Sequence, residues 1–350
     1  MAYTTINKST EHFNARPYVG NGGTLNITGM EFQPNLTWLK CRDIAYYHRL
    51  YDVIRGPLKS VRSDTSAVEE TRTGEGLTAF NSDGYTVIQG SNTEYNNNNI
   101  KYASWNWKAN GAGSANTDGS ISSTVSVNTT SGFSIVKYVG TGSGSNSTVG
   151  HGLGVTPSII IVKSLDSVTD WVVWNKDLPS QTNNYLRLNT NQAIGTTTNY
   201  WNSSAPTNQV FGVSPDGYNN NKSGEDTVAY CFNDVQGFSK FGSYTGNGNA
   251  YGPFVYTGFK PAWIMIKRTD GADTWTIYDN KRIGFNVDNN QLFANDVTTE
   301  STDDDLDILS NGFKIRRNSG RINTSGANQI YMAFAEAPLV GTNNIPANAR

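Results

Sequence analysis

The sequence predicts an all-β protein of three tandem antiparallel β-sandwich modules, with jelly-roll or lectin-like connections and a short N-terminal arm. Three observations predict this fold. One phrase recurs three times, short apolar and aromatic runs alternate with turns rich in Gly, Asn and Ser, and helical periodicity is scarce. Successive strands without intervening helices favour antiparallel sheets, and each module has enough short runs for two sheets over one core.

The recurring phrase centres on a buried strand that follows a proline. Its clearest copy is GLGVTPSIIIVK at 152–163, where β-branched residues fill the strand after the proline. Each copy has a bulky apolar residue two positions before the proline and a lysine six positions after it. These sets are Phe32, Pro34 and Lys40; Val155, Pro157 and Lys163; and Phe259, Pro261 and Lys267.

Three further landmarks flank each phrase in the same order. A Tyr-x-Gly-x-Gly motif precedes it, a glycine with an aromatic residue marks a hairpin after it, and a closing strand ends with a small residue before an aromatic one. The motifs begin at Tyr18, Tyr138 and Tyr244, the hairpins contain Gly84-Tyr85, Gly217-Tyr218 and Gly312-Phe313, and the closing pairs are Ser104-Trp105, Cys231-Phe232 and Ala333-Phe334. This shared order predicts three modules.

The landmarks divide the chain into six segments. We expect an N-terminal arm over 1–15, modules over 16–110, 132–235 and 236–339, a Gly/Ser/Thr-rich linker or extended excursion over 111–131, and a C-terminal tail over 340–350. Three modules in series would form a semi-rigid rod.

The arm has two interpretations, a frayed terminus or a segment that docks on a partner. The candidate docking residues are Tyr3, Ile6 and Phe13, because their apolar side chains would otherwise face solvent.

Composition argues against several kinds of partner. The 350 residues carry 27 Lys and Arg against 29 Asp and Glu, without basic clusters, so no nucleic-acid partner is expected. No apolar run approaches the ~18 residues that span a bilayer, so no membrane insertion is expected. The first residues lack the features of a secretory signal, and we expect folding in a cytosol. Cys41 and Cys231 lie at different places in their modules, which predicts two reduced packing residues.

The sequence predicts no catalytic, cofactor-binding or metal-binding residues, and therefore no enzyme. The histidines, His12, His48 and His151, lie in unrelated settings without a nucleophile motif. The glycines of 140–144 resemble a phosphate loop, but more strand follows them instead of a helix. The aspartates of 303–305 lack EF-hand spacing, and a solvated loop is the favoured interpretation.

Aromatic residues are abundant, with 8 Trp and 18 Tyr. Most lie in predicted strands, where alternation sends one of each pair into the core. Three of them lie at polar hairpin tips, namely Tyr95, Tyr200 and Trp201. These are the candidates for an exposed contact with a sugar ring or a protein partner.

Several separated motifs are shared with a known family. They are LTWLKCRD, HRLYDVIRG, LTAFNSDGYTV and YASWNWKANG within 36–111, GFSIVKYVGTG and GHGLGVTPSIIIVK within 132–163, and the opening MAYTTINKSTEHFNARPYVGNG. Together they resemble a module common in virion proteins of marine tailed bacteriophages, including those that infect cyanobacteria. The resemblance covers nearly the whole chain. It implies a non-enzymatic structural role on the phage particle and lectin-like β-sandwich folds, and it supplies no catalytic residues. Modules 2 and 3 depart from it by lacking the Arg55-Gly56 segment and the Trp-x-Trp closing strand.

The resemblance leaves three functions open. The favoured one is a tail-associated fibre or appendage that contributes to host-surface attachment, contacting a glycan or a protein, as a homo-oligomer with a trimer favoured. The alternatives are a capsid decoration protein on the head and a glycan-degrading tailspike, which would need two carboxylates across a cleft. We expect location in the virion after assembly in the host cytoplasm, with other tail or capsid proteins as partners.

Overall fold

The computed structural model describes residues 3–142, 147–214, 219–283, 286 and 289–340. The predicted all-β class is confirmed. Within the described residues, the helical elements are a 3-10 turn at Ser9–Glu11 and one α-helical turn, α1, at Gly320–Asn323. The remaining regular structure consists of antiparallel strands.

Module 1 has a larger sheet, a smaller sheet and a short ribbon. The larger sheet has the order β1-β10-β4-β5, with β2 also paired to β10; the smaller has the order β3-β9-β8; and β6 pairs with β7. The strands are β1 Phe13–Ala15, β2 Tyr18–Val19, β3 Thr24–Thr28, β4 Leu36–Cys41, β5 Arg49–Asp52, β6 Lys59–Ser60, β7 Glu70–Thr71, β8 Gly76–Asn81, β9 Gly84–Ile88 and β10 Lys101–Trp107.

Module 2 repeats this plan and adds strands at both edges of the larger sheet. Its larger sheet has the order β11-β12-β13-β20-β15-β16-β17-β18, and β14 pairs with β19. The strands are β11 Ser114–Asn116, β12 Ser123–Asn128, β13 Phe133–Val139, β14 Thr148–Gly150, β15 Ile159–Ser164, β16 Val172–Asn175, β17 Asn184–Arg187, β18 Gly195–Thr196, β19 Val210–Gly212 and β20 Asp226–Phe232. The segment 111–131 supplies β11 and β12, so its interpretation as a linker is wrong and its interpretation as an extended excursion holds.

Module 3 has the plain form of the plan. Its larger sheet has the order β21-β28-β23-β24-β25, and its smaller sheet the order β22-β27-β26. The strands are β21 Ser239–Thr245, β22 Phe254–Tyr256, β23 Phe259–Arg268, β24 Thr276–Asp279, β25 Leu292–Phe293, β26 Leu306–Leu309, β27 Gly312–Ile315 and β28 Asn328–Pro338.

Strand register corrects one landmark of the repeat. Each proline strand pairs with the closing strand of its own module, and the residue two positions after the proline lies opposite a closing aromatic residue. The pairs are Leu36 with Trp107, Ile159 with Phe232, and Trp263 with Phe334. The module 1 equivalent of Phe232 and Phe334 is therefore Trp107, and the predicted pair Ser104-Trp105 is out of register by two residues. The Trp-x-Trp repeat within β10 caused the error. The hairpin landmark Gly217-Tyr218 lies outside the described residues, and strand register places Phe211, not Tyr218, as the equivalent of Tyr85 and Phe313.

The larger sheets are buried on both faces, which explains their nearly continuous apolar strands. Along β15, Ile159 and Ile161 face a core shared by all three modules, whereas Ile160 and Val162 face a core local to module 2. At the centre of the shared core, the three closing aromatic residues contact one another. Their ring centroids are separated by 6.3 Å for Trp107–Phe232, 5.6 Å for Trp107–Phe334 and 5.7 Å for Phe232–Phe334.

The seams between modules repeat in a closed cycle. The residue immediately before β5, β16 or β24 donates a ring N–H to a backbone carbonyl of another module. These bonds run from His48 to Phe293 (2.9 Å), from Trp171 to Arg62 (2.7 Å) and from Trp275 to Arg187 (2.8 Å). Module 1 thus contacts module 3, module 3 contacts module 2, and module 2 contacts module 1.

Backbone hydrogen bonds repeat the same cycle. They run from the N–H groups of Glu300, Ile194 and Glu69 to the carbonyls of Arg42, Thr269 and Leu165, each acceptor lying two residues after the repeated lysine. A closed cycle of equivalent contacts requires an approximate threefold axis. The modules therefore surround one axis and one core, and the expectation of a semi-rigid rod is wrong.

The N-terminal segment belongs to this body. Ile6 is 2% exposed and Phe13 is 1% exposed. The Phe13 ring stacks on Phe334 at 5.1 Å and packs against Trp107 at 5.1 Å. These contacts exclude Ile6 and Phe13 as docking residues, because their apolar side chains already fill the shared core.

Candidate functional site: the uncovered face of module 3

The edge strands of the three larger sheets are equivalent but differ in what covers them. Pairing with the closing strands makes Ala15, Ile135 and Phe241 equivalent, since they lie opposite Trp105, Tyr230 and Met332. The same register makes Pro17, Lys137 and Ser243 equivalent two residues later. The edges differ at this position in whether a further strand could pair with them.

Two of the edges are closed within the chain. In module 1, Pro17 interrupts the strand between β1 and β2 and has no N–H to offer at the edge. In module 2, β12 pairs along β13 over six residues, from Ser123 opposite Tyr138 to Asn128 opposite Phe133. Proline and a covering strand are both established protections against pairing with a foreign strand.

The third edge, β21, bonds with Val235 at its first residue, Ser239, and is open farther along at Ser243 and Thr245. In the part of the chain that the structure describes, β28 is its strand partner on one side and no strand pairs on the other. The N–H of Phe241 points to that open side, where it donates to Oδ1 of Asp234 over 2.6 Å. Alternation places the N–H and C=O groups of Ser243 and Thr245 on the same side, and both residues are exposed. Within the described residues, β21 of module 3 therefore has neither a covering strand like that on β13 nor a proline at the place of Pro17.

The smaller sheet of module 3 has an open edge beside this one. Along β22, Val255 is buried while Phe254 is 47% and Tyr256 is 53% exposed. Tyr251 precedes the strand and is 80% exposed. We call these three exposed aromatic residues, Tyr251, Phe254 and Tyr256, the aromatic face.

The equivalent positions in the other modules carry smaller residues. Val255 lies opposite Phe313 just as Ile27 lies opposite Tyr85, so Phe254 and Tyr256 correspond to Asn26 and Thr28 of module 1. In module 2 the corresponding residues are Thr148 and Gly150, because Val149 lies opposite Phe211.

The segment 111–131 explains the small residues of module 2. Ile121 forms a bridge with Val149, and the hydroxyl of Ser123 donates to the carbonyl of Gly150. A Cβ atom on Gly150 would lie 1.8 Å from Oδ1 of Asn116, so a larger residue there would displace the Asn116 side chain. In module 3 no described segment provides such a cover, and Tyr256 projects outward.

A cleft of about 500 Å³ lies between β21 and β22, and Tyr3 and Tyr256 both line it together with Lys240. The Tyr3 hydroxyl donates to the carbonyl of Gly258 over 2.9 Å. Burial, a hydrogen bond with Tyr256 and the charge of that group raise the pKa of Tyr3 to about 12, so the Tyr3 hydroxyl stays protonated at neutral pH. Of the predicted docking residues, Tyr3 alone reaches a surface cleft.

The predicted exposed aromatic residues are buried instead. Tyr95 is 0% exposed, Tyr200 is 2% exposed and Trp201 is 0% exposed. Tyr95 belongs to the local core of module 1, and the indole N–H of Trp201 donates to the carbonyl of Asn184 over 3.0 Å. Their polar neighbours in sequence suggested loop tips, but these loops fold back over the smaller sheets. The aromatic face could have been found from Phe254 and Tyr256, which alternate with Val255 as an edge strand requires.

The histidines have structural partners. Nδ1 of His48 accepts from the Trp38 indole over 2.8 Å, and Nε2 donates to the carbonyl of Phe293. Burial, reinforced by the charge of Lys40, lowers the pKa of His48 well below its ordinary value, so the ring is neutral. His12 contacts Asn128 and His151 contacts backbone groups. None is placed beside a nucleophile.

The repeated lysine is buried in every module. Nζ of Lys40 donates to the carbonyl of Val297 over 2.7 Å and that of Lys267 donates to Asn191 over 3.3 Å, so two of the lysines cross seams. Nζ of Lys163 donates to the carbonyls of Ser164 and Ser167 within its own module. Burial lowers the pKa of each of the three amines to about 8.

Arg55 forms a buried ion pair that is not restricted to module 1. Its Nε lies 2.5 Å from Oδ2 of Asp52, and its Nη1 lies 3.1 Å from Glu69. In module 3, Nε of Arg282 lies 2.6 Å from Oδ2 of Asp279, again at a spacing of three residues. Module 3 therefore has the same Asp-x-x-Arg pair as module 1, although it lacks the Arg-Gly segment.

Module 2 replaces the charged set as a whole. Asn175, Leu178 and Ile194 stand where module 3 has Asp279, Arg282 and Glu300. The first two are buried, and Ile194 packs against the shared core.

The aspartates of 303–305 do not form a cation cage. Oδ1 of Asp303 lies 3.1 Å from Arg317, and Oδ2 of Asp305 accepts from Gln291 over 2.8 Å. Within the described residues, no group of three or more His, Cys, Asp or Glu side chains is placed to hold a metal ion. Cys41 and Cys231 are buried and free, as predicted.

These observations define an all-β protein whose three modules enclose one core, with no described strand covering the edges β21 and β22 of module 3. A family model described as "Domain of unknown function (DUF7483)" matches residues 8–338, and the chain belongs to that family. The match spans all three modules. Comparisons with curated proteins and with solved structures found no match. No described helix has the length and apolar character needed to cross a membrane.

Proposed function

We propose that this chain is a non-enzymatic structural protein of a tailed-phage particle, carried as a tail-associated appendage that contributes to attachment to the host surface. The observation that carries the proposal is the uncovered face of module 3, where β21, β22 and the aromatic face lie together. Exposed aromatic clusters with unpaired strand edges are typical of binding surfaces. The resemblance to phage virion proteins supplies the setting.

The arrangement of charges supports a binding role over a catalytic one. The buried arginines Arg55 and Arg282 pair with carboxylates at the seams, and Arg42 pairs with Glu300 across the seam of modules 1 and 3. These groups stabilise the body of the protein and do not converge on the cleft beside Tyr256. The aromatic face is therefore separate from these ion pairs.

Capsid decoration remains a second candidate because of one observation. The modules close around a shared core, so the chain forms a compact body and not a shaft. A compact body suits a position on the head as well as a position at the tail. Such a body already has three modules about one axis, so approximate threefold symmetry does not require a homotrimer. The homotrimer stays part of the appendage proposal.

Particle location tests the proposal. Purified virions of the encoding phage would be analysed by quantitative mass spectrometry together with an averaged electron-microscopy map. A few to a few tens of copies confined to the tail support the appendage. Hundreds of copies across the head support decoration in its place, and absence from washed particles contradicts both.

A further inference from the structure

We propose that the open edge of β21 and the aromatic face form an acceptor for an extended strand of another polypeptide, which pairs antiparallel with β21. The inference rests on the proposed structural role and specifies how the protein joins its neighbour. It predicts the chemistry of the partner: a segment of about six residues that alternates small polar with β-branched apolar side chains.

The chain contains its own precedent for this mode of binding. In module 2, the segment Ser123–Asn128 pairs with β13, the strand equivalent to β21. Its side chains at Val125 and Val127 lie against Gly152, where a Cβ atom would approach them at 3.1 and 3.4 Å. The sequence STVSVN alternates hydroxyl and valine side chains as a half-buried edge strand requires.

Module 3 has the same surface without the strand. Gly258, a positive-φ glycine at the place of Gly152, is approached by the hydroxyls of Tyr3 and Tyr256 in place of two valines. The cleft of about 500 Å³ lies beside it. The open backbone groups of Ser243 and Thr245 continue the acceptor along β21.

The exposure of the aromatic face has a direct explanation on this account. Phe254 and Tyr256 have polar counterparts in module 1, Asn26 and Thr28, where no partner is expected. Large aromatic residues at an edge contribute contact area with little loss of conformational entropy, so they are well suited to binding a strand. Main-chain hydrogen bonds to β21 would supply affinity, and the aromatic face would supply selectivity for apolar side chains.

The chain offers a matched pair of variants that separate the edge from the fold. Ser243→Pro removes one outward N–H and reproduces the proline that module 1 has at the equivalent position, Pro17. Ser243→Ala changes the same side chain and keeps the N–H. The bonds between β21 and β28 use the alternate residues Gly242 and Tyr244, so both variants are expected to fold, as checked by circular dichroism and a thermal melt.

The experiment uses the full chain and a fluorescent peptide with the sequence of residues 121–129, ISSTVSVNT, with a scrambled peptide as control. We expect saturable one-to-one binding by anisotropy, weakened about tenfold or more by Ser243→Pro and changed less than about twofold by Ser243→Ala. The double variant Phe254→Asn, Tyr256→Thr, which copies module 1, is expected to weaken binding about fivefold or more.

Three results would overturn the inference. The first is no saturable binding up to about 1 mM peptide. The second is equal binding by the Ser243→Pro and Ser243→Ala variants. The third is a dimer in sedimentation that the Ser243→Pro substitution disrupts and added peptide does not. In that case a second copy of this chain would occupy the edge. These measurements use isolated protein, so the strand-acceptor inference can fail while particle location still supports the proposed function. Equally, peptide binding can succeed while particle location contradicts the proposed function.

Discussion

Nε1 of Trp105 donates a hydrogen bond to Oδ2 of Asp279 over 2.9 Å, and this bond joins module 1 to the buried ion pair of module 3. An equivalent bond joins modules 2 and 1, where the hydroxyl of Tyr230 donates to Oδ2 of Asp52 over 2.8 Å. In module 3 the equivalent of Trp105 and Tyr230 is Met332, which has no donor. The module that would receive its bond, module 2, has lost the ion pair. The third seam therefore differs from the other two in both the donor residue and the carboxylate that would accept its bond.

This relationship predicts a non-additive pair of substitutions. Arg282→Leu is expected to lower the free energy of unfolding by about 3–5 kcal/mol, because it leaves the Asp279 carboxylate buried without its cation. Asp279→Asn with Arg282→Leu copies module 2 at these two positions and keeps an acceptor for Trp105. The double variant should therefore be more stable than the single one by about 2 kcal/mol or more. Urea unfolding of the three proteins measures both values. Equal destabilisation by the single and double variants would contradict the interpretation.

Acid should weaken the seam between modules 1 and 3. Burial alone raises the pKa of Glu300, but a hydrogen bond from Arg42 and the charge of Arg282 outweigh it and hold the pKa at about 2. A carboxyl whose pKa is lower in the folded state stabilises the protein above its unfolded pKa. That contribution, at most about 3 kcal/mol, is lost as the pH falls from about 4.5 to about 2.

Denaturant titrations at several pH values, with Glu300→Gln as the matched control, measure this effect. The variant should be less stable near neutral pH and should show a shallower loss of stability between about pH 4.5 and 2. Parallel acid profiles for the two proteins would show that Glu300 does not contribute the predicted term.

The N-terminal segment should be required for folding. Phe13→Ala is expected to cost about 3–5 kcal/mol, because it opens a cavity among Trp107, Trp263 and Phe334. Removal of residues 1–15 takes away that ring, Ile6 and the whole of β1, so the truncated chain should not give the native melting transition. Circular dichroism during heating checks both variants. A truncated chain with an unchanged midpoint would restore the interpretation of the segment as a detachable docking arm.

Burial separates the aromatic residues into two groups with different expected costs. Trp201→Ala should lower the free energy of unfolding by about 3–5 kcal/mol, since the ring is fully buried and its N–H is bonded. Tyr251→Ala should change it by less than about 0.5 kcal/mol, since the ring is 80% exposed. Chemical unfolding of the two variants provides the comparison. Similar costs would show that Tyr251 is part of a packed core.

The repeat was readable from the sequence because each landmark has a local physical cause. The proline before a strand, the lysine six residues later and the closing aromatic residue recur in each copy, and they predicted the strands around Ile159 to Val162 correctly. The closing residue of module 1 was misplaced because Trp105 and Trp107 both fit the pattern, and only strand register distinguishes them.

The arrangement of the modules could not be read in this way. Period-two alternation shows that both faces of β15 are apolar, but it does not say whether the second face covers a neighbouring module in a rod or in a ring. Burial of Tyr95 and Trp201 depends on loops that return over a sheet, which is long-range information. The Asp-x-x-Arg spacing at Asp52 and Asp279 was present in the sequence and could have indicated the seams.

Small-angle X-ray scattering of the full chain in dilute solution tests the closed arrangement of modules most directly. Three modules around one core predict a radius of gyration of about 20 Å, the value for a compact 350-residue body. Three modules in a row, each of about 13 Å, would give a value near 28 Å and a maximum dimension several times the width of one module. A radius close to 20 Å with a bell-shaped distance distribution supports the shared core, and an extended distribution with a radius near 28 Å contradicts it.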